Sequence, residues 1–211
     1  NFMNPQQTPL VVWVLARAFV FARTGVAKYR TSVISSCEKA IGTENGGRTL
    51  AFGRELAAYV IAADLVGLPA TLDTKFRVWI KAGLTKNLDG KTLISTMEKR
   101  PQNWGTWATC SVIAVQKYLE NSTGVERAAT IFKGYLGDRS SYKGFIYGDL
   151  AWQASPSAPV GINPAGATKQ GHSIDGVLPD DQRRSGGFKW PPPRENYCYE
   201  ALQGVAGSAQ M

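Results

Sequence analysis

Apolar residues at helical spacing, in runs closed by glycine, dominate this sequence as far as Leu136 and constrain its fold most strongly. From Phe52 to Val66 they recur three and four residues apart, and Gly67-Leu68-Pro69 follows. Such spacing places apolar side chains on one face of an α-helix, which a glycine followed by a proline ends. The same reasoning predicts helices at Leu10–Ala22, Ala27–Ile41, Phe52–Val66, Thr106–Tyr118 and Val125–Leu136, and a further helix that Asp73 caps and that contains Phe76, Trp79, Ile80 and Leu84.

Helix follows helix in this part of the chain, and no segment shows the apolar and polar alternation of a strand. Leu10–Ala22 is apolar almost all round, which is typical of a helix buried on most sides. Stacked hairpins of such helices predict an all-α fold, an (α/α) toroid or incomplete α/α barrel, rather than a four-helix bundle. Because 44% of the 211 residues are hydrophobic, we expect a single domain over residues 1–211. Helical character returns at Glu195–Val205 without a closing element after it, so the toroid is expected to be incomplete.

The sequence changes character at Gly137, where a long region rich in glycine, proline, serine and aromatic residues begins and continues to Pro193. A region of this length without periodicity is uncommon in a compact domain unless it builds a binding site or a lid. Its aromatic residues, Tyr142, Phe145, Tyr147 and Trp152, give it enough apolar surface to pack. We therefore predict an ordered loop region, residues 137–193, that forms part of the functional site.

The stretch from His172 to Leu202 concentrates ionisable side chains, including the one histidine of the chain. Such a concentration on irregular backbone indicates either a site or a solvated surface loop. The net charge of +8 points to an acidic partner, which is a nucleic acid, an anionic membrane surface or a polyanionic carbohydrate. No apolar run reaches ~18 residues, so no membrane span is predicted.

Three stretches carry a family resemblance. They are RELAAYVIAADL at Arg54–Leu65, NWGTW at Asn103–Trp107, and a block from DGVLP at Asp175–Pro179 through Arg184 to YCYEAL at Tyr197–Leu202. Together they resemble the alginate-lyase-like polysaccharide lyases, whose catalytic domain is an (α/α) toroid, over about residues 10–205. The resemblance implies β-elimination on a uronic-acid polymer such as alginate or glucuronan, and secretion or a periplasmic location. Such lyases are generally larger than this chain, which fits an incomplete toroid or a fragment.

The resemblance also implies roles for particular residues. Asn103 and Arg184 would neutralise the carboxylate of the sugar, and Tyr197 would abstract the C5 proton and protonate the leaving oxygen. The chain departs from the family at Trp104, which stands where those lyases place a catalytic histidine. His172 is the histidine left to fill that role, and its ordinary pKa near neutrality suits acid–base chemistry.

The proposed chemistry is consistent with the residues around these positions. Amide and guanidinium groups can neutralise a carboxylate, and a tyrosine base needs positive charge nearby to lower its pKa. The scheme requires no cofactor and no metal. Cations and aromatic rings that would bind a polyanionic sugar chain are Arg183, Lys189, Arg194, Trp104, Trp107, Trp152 and Trp190.

Other interpretations stay open at this point. Asn103 could instead cap the helix that starts near Thr106, and Trp107 could belong to the core. A glycoside hydrolase would need two carboxylates ~5–10 Å apart, and a carbohydrate-binding relative without activity would explain Trp104. A nucleic-acid-binding helical repeat is disfavoured because no basic stripe lies at helical spacing. The candidate carboxylates of a hydrolase are Asp175, Asp180, Asp181 and Glu195.

The chain has three cysteines, Cys37, Cys110 and Cys198. One disulfide with a free thiol is possible, but their spacing does not decide it.

Overall fold

The computed structural model describes residues 8–211, so the first seven residues of the predicted domain lie outside it. The described chain is mostly helical, which confirms the all-α prediction. Two short strands form one antiparallel hairpin. In chain order the elements are α1 Thr8–Thr24, α2 Ala27–Ala40, α3 Thr49–Val66, α4 Ala70–Gly83, α5 Leu93–Lys99, α6 Asn103–Tyr118, α7 Ser122–Tyr135, β1 Thr168–Lys169, β2 His172–Ser173, α8 Pro179–Gln182 with a 3₁₀ turn at Arg183–Ser185, and α9 Asn196–Gln210.

The helices pack in two layers. Helices α1, α3, α6 and α9 lie side by side in that order, and α2, α4, α5 and α7 pack against this row. Buried side chains from α1 to α7 form a continuous core between the layers, with Phe52, Leu56, Phe76, Ile80 and Ile131 among the largest fully enclosed. Burial of these aliphatic and aromatic surfaces is the main stabilising contribution to the fold.

Close backbone contacts show that α3, α6 and α9 run in the same direction. Gly53 packs against Ala108, and one turn later the backbone N–H of Ala57 donates to Ser111 Oγ at 3.0 Å. On the other side of α6, a Cβ added at Gly207 would lie 2.7 Å from Cys110 Sγ, and one added at Gly204, one turn earlier, would lie 2.6 Å from the carbonyl carbon of Thr106. Glycine at these positions lets the two helices approach closely. The N-terminal ends of all three helices therefore meet at one edge of the layer.

The structure differs from the sequence-based expectations in two helices. Helix α1 buries Val14 and Ala18, but Trp13 and Phe19 on its other side are more than half exposed, so it is not buried on most sides. Asp73 does not cap its helix, because α4 begins at Ala70. The short helices α5 and α8 were not predicted. Within residues 8–211, no helix combines the length and apolar character needed to cross a membrane.

The loop region 137–193 is packed and internally hydrogen-bonded. Buried Asn163 donates from Nδ2 to the carbonyls of Trp152 and Ile174, at 3.0 and 3.2 Å, and its Oδ1 accepts from the backbone of Ala154. Gln153 is also buried and exchanges two hydrogen bonds with the backbone of Val160. These contacts hold the region together as a packed unit, and the hydrogen bond from the Asn103 N–H to Asp181 joins it to the N-terminal end of α6.

Candidate functional site

The loop region docks onto the N-terminal end of α6 through Asp181. Its Oδ1 accepts a hydrogen bond of 3.0 Å from the backbone N–H of Asn103, the first residue of α6. The first N–H groups of a helix have no partner within the helix, and a carboxyl group there is stabilised by the helix dipole. The helix thus begins earlier than predicted, and Asn103 is not its cap; the N-cap residue is Gln102.

Asn103 links α6 to α9. Its Nδ2 donates to Glu200 Oε2 at 3.0 Å, the side chain is fully buried, and its Oδ1 has no hydrogen-bond partner in the described residues. The carboxylate of Glu200 therefore already binds the amide of Asn103. By the family resemblance, this amide would bind the carboxylate of a substrate.

Some of the buried polar groups around Asp181 have no hydrogen-bond partner among the described residues. Among them are Asp181 Oδ2 and the hydroxyl of the fully enclosed Tyr135. Burial, followed by the charge of Asp180, raises the pKa of Asp181 to about 7, although the backbone N–H of Asn103 opposes this. Burial also raises the pKa of Tyr135 well above its ordinary value and that of the Cys198 thiol to about 12. These groups favour their neutral forms because water is excluded.

Arg184 and Tyr197 form an exposed pair beside this buried cluster. The Arg184 guanidinium carbon lies 3.9 Å from the centre of the Tyr197 ring, which is 37% exposed. No salt bridge within 4.0 Å engages Arg184 in the described part of the chain. Arg183 differs, because Asp180 holds its Nε at 2.8 Å. Of these two arginines, Arg184 is thus the one whose guanidinium remains open to an acidic ligand.

Of the four predicted catalytic residues, Arg184 stacks on Tyr197, and Asn103 is joined to α9 through Glu200, one turn after Tyr197. His172 lies on β2, where it stacks on Trp190 with ring centres 4.7 Å apart. No hydrogen bond or ring contact among the described residues joins His172 to the other three.

The predicted sugar-binding rings fall into different environments. Trp152 is fully buried, donates from Nε1 to the Gly186 carbonyl and packs on Phe188, so the expectation that it stacks on a sugar is corrected. Trp107 is partly buried, with its Nε1 enclosed. Trp104 is also partly buried, and Lys91 Nζ lies 5.2 Å from its ring centre.

The remaining predicted ligands, Lys189 and Arg194, are exposed on the segment between Arg184 and α9. All three cysteines are free thiols, which settles the question left open by their spacing. Among residues 8–211, no group of three or more histidine, cysteine, aspartate and glutamate side chains is arranged to hold a metal ion.

Sequence reasoning missed the positions of Glu200 and Lys91 in this site and treated Asp181 only as a candidate acid of a hydrolase. Glu200 lies three residues after Tyr197, a spacing that makes the two residues neighbours on a helix surface. The sequence therefore did indicate that Glu200 lies near Tyr197. Lys91 precedes the unpredicted helix α5, and nothing in its local sequence indicates that it lies over Trp104.

The chain was compared with protein-family models, with curated proteins and with solved structures, and none of the three comparisons returned a match. The assignment of a function therefore depends on the geometry of the site and on the sequence motifs.

Proposed function

We propose that this chain is part of an (α/α)-toroid polysaccharide lyase that cleaves a uronic-acid-containing polymer by β-elimination. In this reaction the base removes the C5 proton of a uronate, the electron pair forms the C4–C5 double bond, and the bond from C4 to the glycosidic oxygen breaks. The leaving oxygen receives a proton. The products are a shortened chain and a chain with an unsaturated uronate at its non-reducing end.

The observation that carries the proposal is the stacked pair of Arg184 and Tyr197. An exposed guanidinium free of a protein carboxylate can bind a substrate carboxylate through two N–H groups. Neutralising that carboxylate makes the adjacent C5 proton more acidic. The same cation lies over the ring of Tyr197, so a carboxylate bound by Arg184 would lie beside the tyrosine. Arg184 would thus hold and neutralise the substrate carboxylate, with Tyr197 as the base.

Asn103 supports the proposal in a position behind this pair. Its amide is already bound to Glu200, so a substrate carboxylate would reach it only by taking the place of the Glu200 carboxylate. Like charges repel, and entry of a substrate carboxylate would favour movement of Glu200 away from Asn103. Without that movement, Asn103 serves to position α9, which carries Tyr197.

The hydrolase alternative receives less support from the same geometry. Asp181 has the raised pKa that a general acid needs, but it is fully enclosed and its Oδ1 is bound to the backbone of α6. Asp180 is ion-paired with Arg183 and likewise buried. A general acid has to touch the glycosidic oxygen, which neither of these two buried carboxyl groups can do in this arrangement. The other two candidates, Asp175 and Glu195, accept hydrogen bonds from the backbone N–H groups of Gly166 and Tyr197.

The test is the conversion of alginate, glucuronan and other polyuronates, followed through the ultraviolet absorbance of the unsaturated product. Tyr197→Phe keeps the ring under Arg184 and removes only the hydroxyl, so we expect turnover to fall by about 10²- to 10⁴-fold with little change in substrate binding. Tyr199→Phe is the matched control, since Tyr199 lies on the same helix and is 71% exposed.

Equal activity of Tyr197→Phe and the parent chain would refute the assignment of the base. A reducing-end signal without ultraviolet absorbance would identify a hydrolase instead.

A further inference from the structure

A cavity rich in basic side chains lies at the end of α5, just before α6 begins. It has a volume of about 250 Å³ and is lined by Lys91, Ser95, Thr96, Lys99, Arg100 and Ile146. Half of the lining residues are cations and none is acidic. Ammonium and guanidinium groups around one cavity favour an anionic ligand.

The protein does not neutralise these cations itself. Among the described residues, none of the three takes part in a salt bridge within 4.0 Å. The acids that neighbour them in sequence are engaged elsewhere: Glu98 pairs with Arg127 at 3.0 Å, and Asp89 accepts from the Thr49 hydroxyl at 2.7 Å. The positive charge of the cavity therefore remains available to a ligand.

The backbone that presents the cations is held in place from two sides. The Ile146 N–H donates to the Lys99 carbonyl at 2.9 Å, which ties the loop region to the end of α5. The Arg100 carbonyl packs against Gly105 so closely that an added Cβ would lie 1.6 Å from it. Thr96, also on the cavity wall, is buried with a hydroxyl that has no partner in the described residues. The backbone of the lining is thus fixed before any ligand arrives, which lowers the entropic cost of binding.

The cavity also offers apolar surface of the kind that sugar rings contact. The Ile146 side chain is 67% exposed at its rim. Lys91, which lines the cavity, lies over the ring of Trp104, and Trp104 is adjacent in sequence to Asn103. A ligand that combines a carboxylate with an apolar ring face would satisfy both the cations and these side chains.

We propose that this cavity is a subsite for one carboxylate-bearing sugar of an anionic polysaccharide. The identity of the ligand rests on the proposed function, whereas the preference for an anion rests on the cavity alone. Its cations would bind a sugar that is not the one being cleaved, so they would contribute to affinity and to the placement of the chain.

The experiment measures equilibrium binding of a uronate oligosaccharide by calorimetry at low ionic strength, with the double variant Lys99→Gln/Arg100→Gln. Both side chains are exposed, so their replacement leaves the core intact. Loss of two charge-assisted contacts predicts about a tenfold higher Kd. The matched control is Arg23→Gln/Lys75→Gln, which removes the same two residue types from exposed positions on α1 and α4.

An unchanged Kd in the cavity variant would overturn the proposal, and so would an equal loss in the control, which would indicate non-specific attraction. Binding of a DNA oligonucleotide of equal charge with the same affinity and the same dependence on these residues would also overturn it. The binding measurement is independent of turnover. If the double variant binds ten times more weakly but the parent chain yields no unsaturated product, the lyase proposal is refuted and the subsite proposal stands. If the double variant turns over substrate with a normal KM, the subsite proposal is refuted and the lyase proposal stands.

Discussion

Asp181 is the residue whose replacement gives the sharpest physical test of the described site. Its carboxyl group is fully buried, and burial raises its pKa from the ordinary 3.8 to about 7. Between these values the folded chain keeps a proton that the unfolded chain has lost. The free energy of unfolding therefore falls as the pH rises from about 4 to about 7, which is the opposite of the behaviour of an ion-paired carboxylate.

The magnitude follows from the shift. Each unit of difference in pKa between the folded and unfolded chain corresponds to about 1.4 kcal/mol. The carboxyl group therefore lowers the free energy of unfolding by about 4 kcal/mol above pH 7, and about 3 kcal/mol of this loss occurs between pH 5 and pH 8. Asp181→Asn removes this dependence and retains an oxygen for the backbone N–H of Asn103. The new amide N–H₂ lacks a partner and costs about 1–3 kcal/mol at every pH. The test is thus how much the effect of the substitution on stability changes between pH 5 and pH 8, not the stability at either pH.

Urea unfolding followed by circular dichroism at pH 5 and pH 8 measures this difference. We expect the stability of Asp181→Asn relative to the parent chain to be higher at pH 8 than at pH 5 by about 3 kcal/mol. Asp175→Asn, which removes an exposed carboxylate of the same loop region, controls for the change in net charge. A relative stability that is equal at the two pH values, or lower at pH 8, would refute the reasoning.

Two further substitutions test the packing on which the site depends. Gly105→Ala would drive a methyl group into the Arg100 carbonyl, so we expect the free energy of unfolding, measured in urea, to fall by more than about 3 kcal/mol. The control Ala108→Gly, one turn further along α6, should lower it by only about 1 kcal/mol. Glu44 is buried and accepts from Trp79 and Lys86; burial raises its pKa, but these hydrogen bonds outweigh it and lower the pKa overall. Its stabilising effect is present at neutral pH and is lost in acid, so Glu44→Gln should destabilise by about 1–3 kcal/mol at pH 7 and less at pH 3, and an equal loss at both would contradict this.

The helices were largely predictable from the sequence because their apolar spacing and the glycines after them act locally. Helix α3, for example, was expected at Phe52–Val66 and spans Thr49–Val66. The seven-residue helix α5 was missed because it is too short to show a period. Its capping box, in which Thr92 and Ser95 bond each other's backbone N–H groups, was the available signal. The exposed side of α1 could not be predicted, because composition does not reveal how many neighbours a helix has.

The site was predictable as a set of residue types but not as an arrangement. Arg184 and Tyr197 lie close in sequence and were expected together, and the structure stacks them. The burial of Asp181 was not foreseeable, because the polar tetrapeptide Pro179–Gln182 is enclosed only when the loop region docks onto α6. The same long-range docking decides that His172 meets Trp190 and not Tyr197. Contacts between segments so distant in sequence leave no local pattern.

The direction of the helices adds to the positive charge of the exposed cation Arg184. Since α3, α6 and α9 are parallel, their positive ends meet at one edge, where the dipole of each favours negative charge. Two of the protein's acids at that edge contribute little opposing charge, because Asp180 is paired with Arg183 and burial raises the pKa of Asp181 to about 7. Glu195 and Glu200, at the start of α9, are hydrogen-bonded to neutral groups and offset part of the positive charge. Arg184 and the cations of the basic cavity are left unpaired. A polyanion would therefore be attracted to the edge where the candidate base lies, and this attraction should weaken as the salt concentration rises.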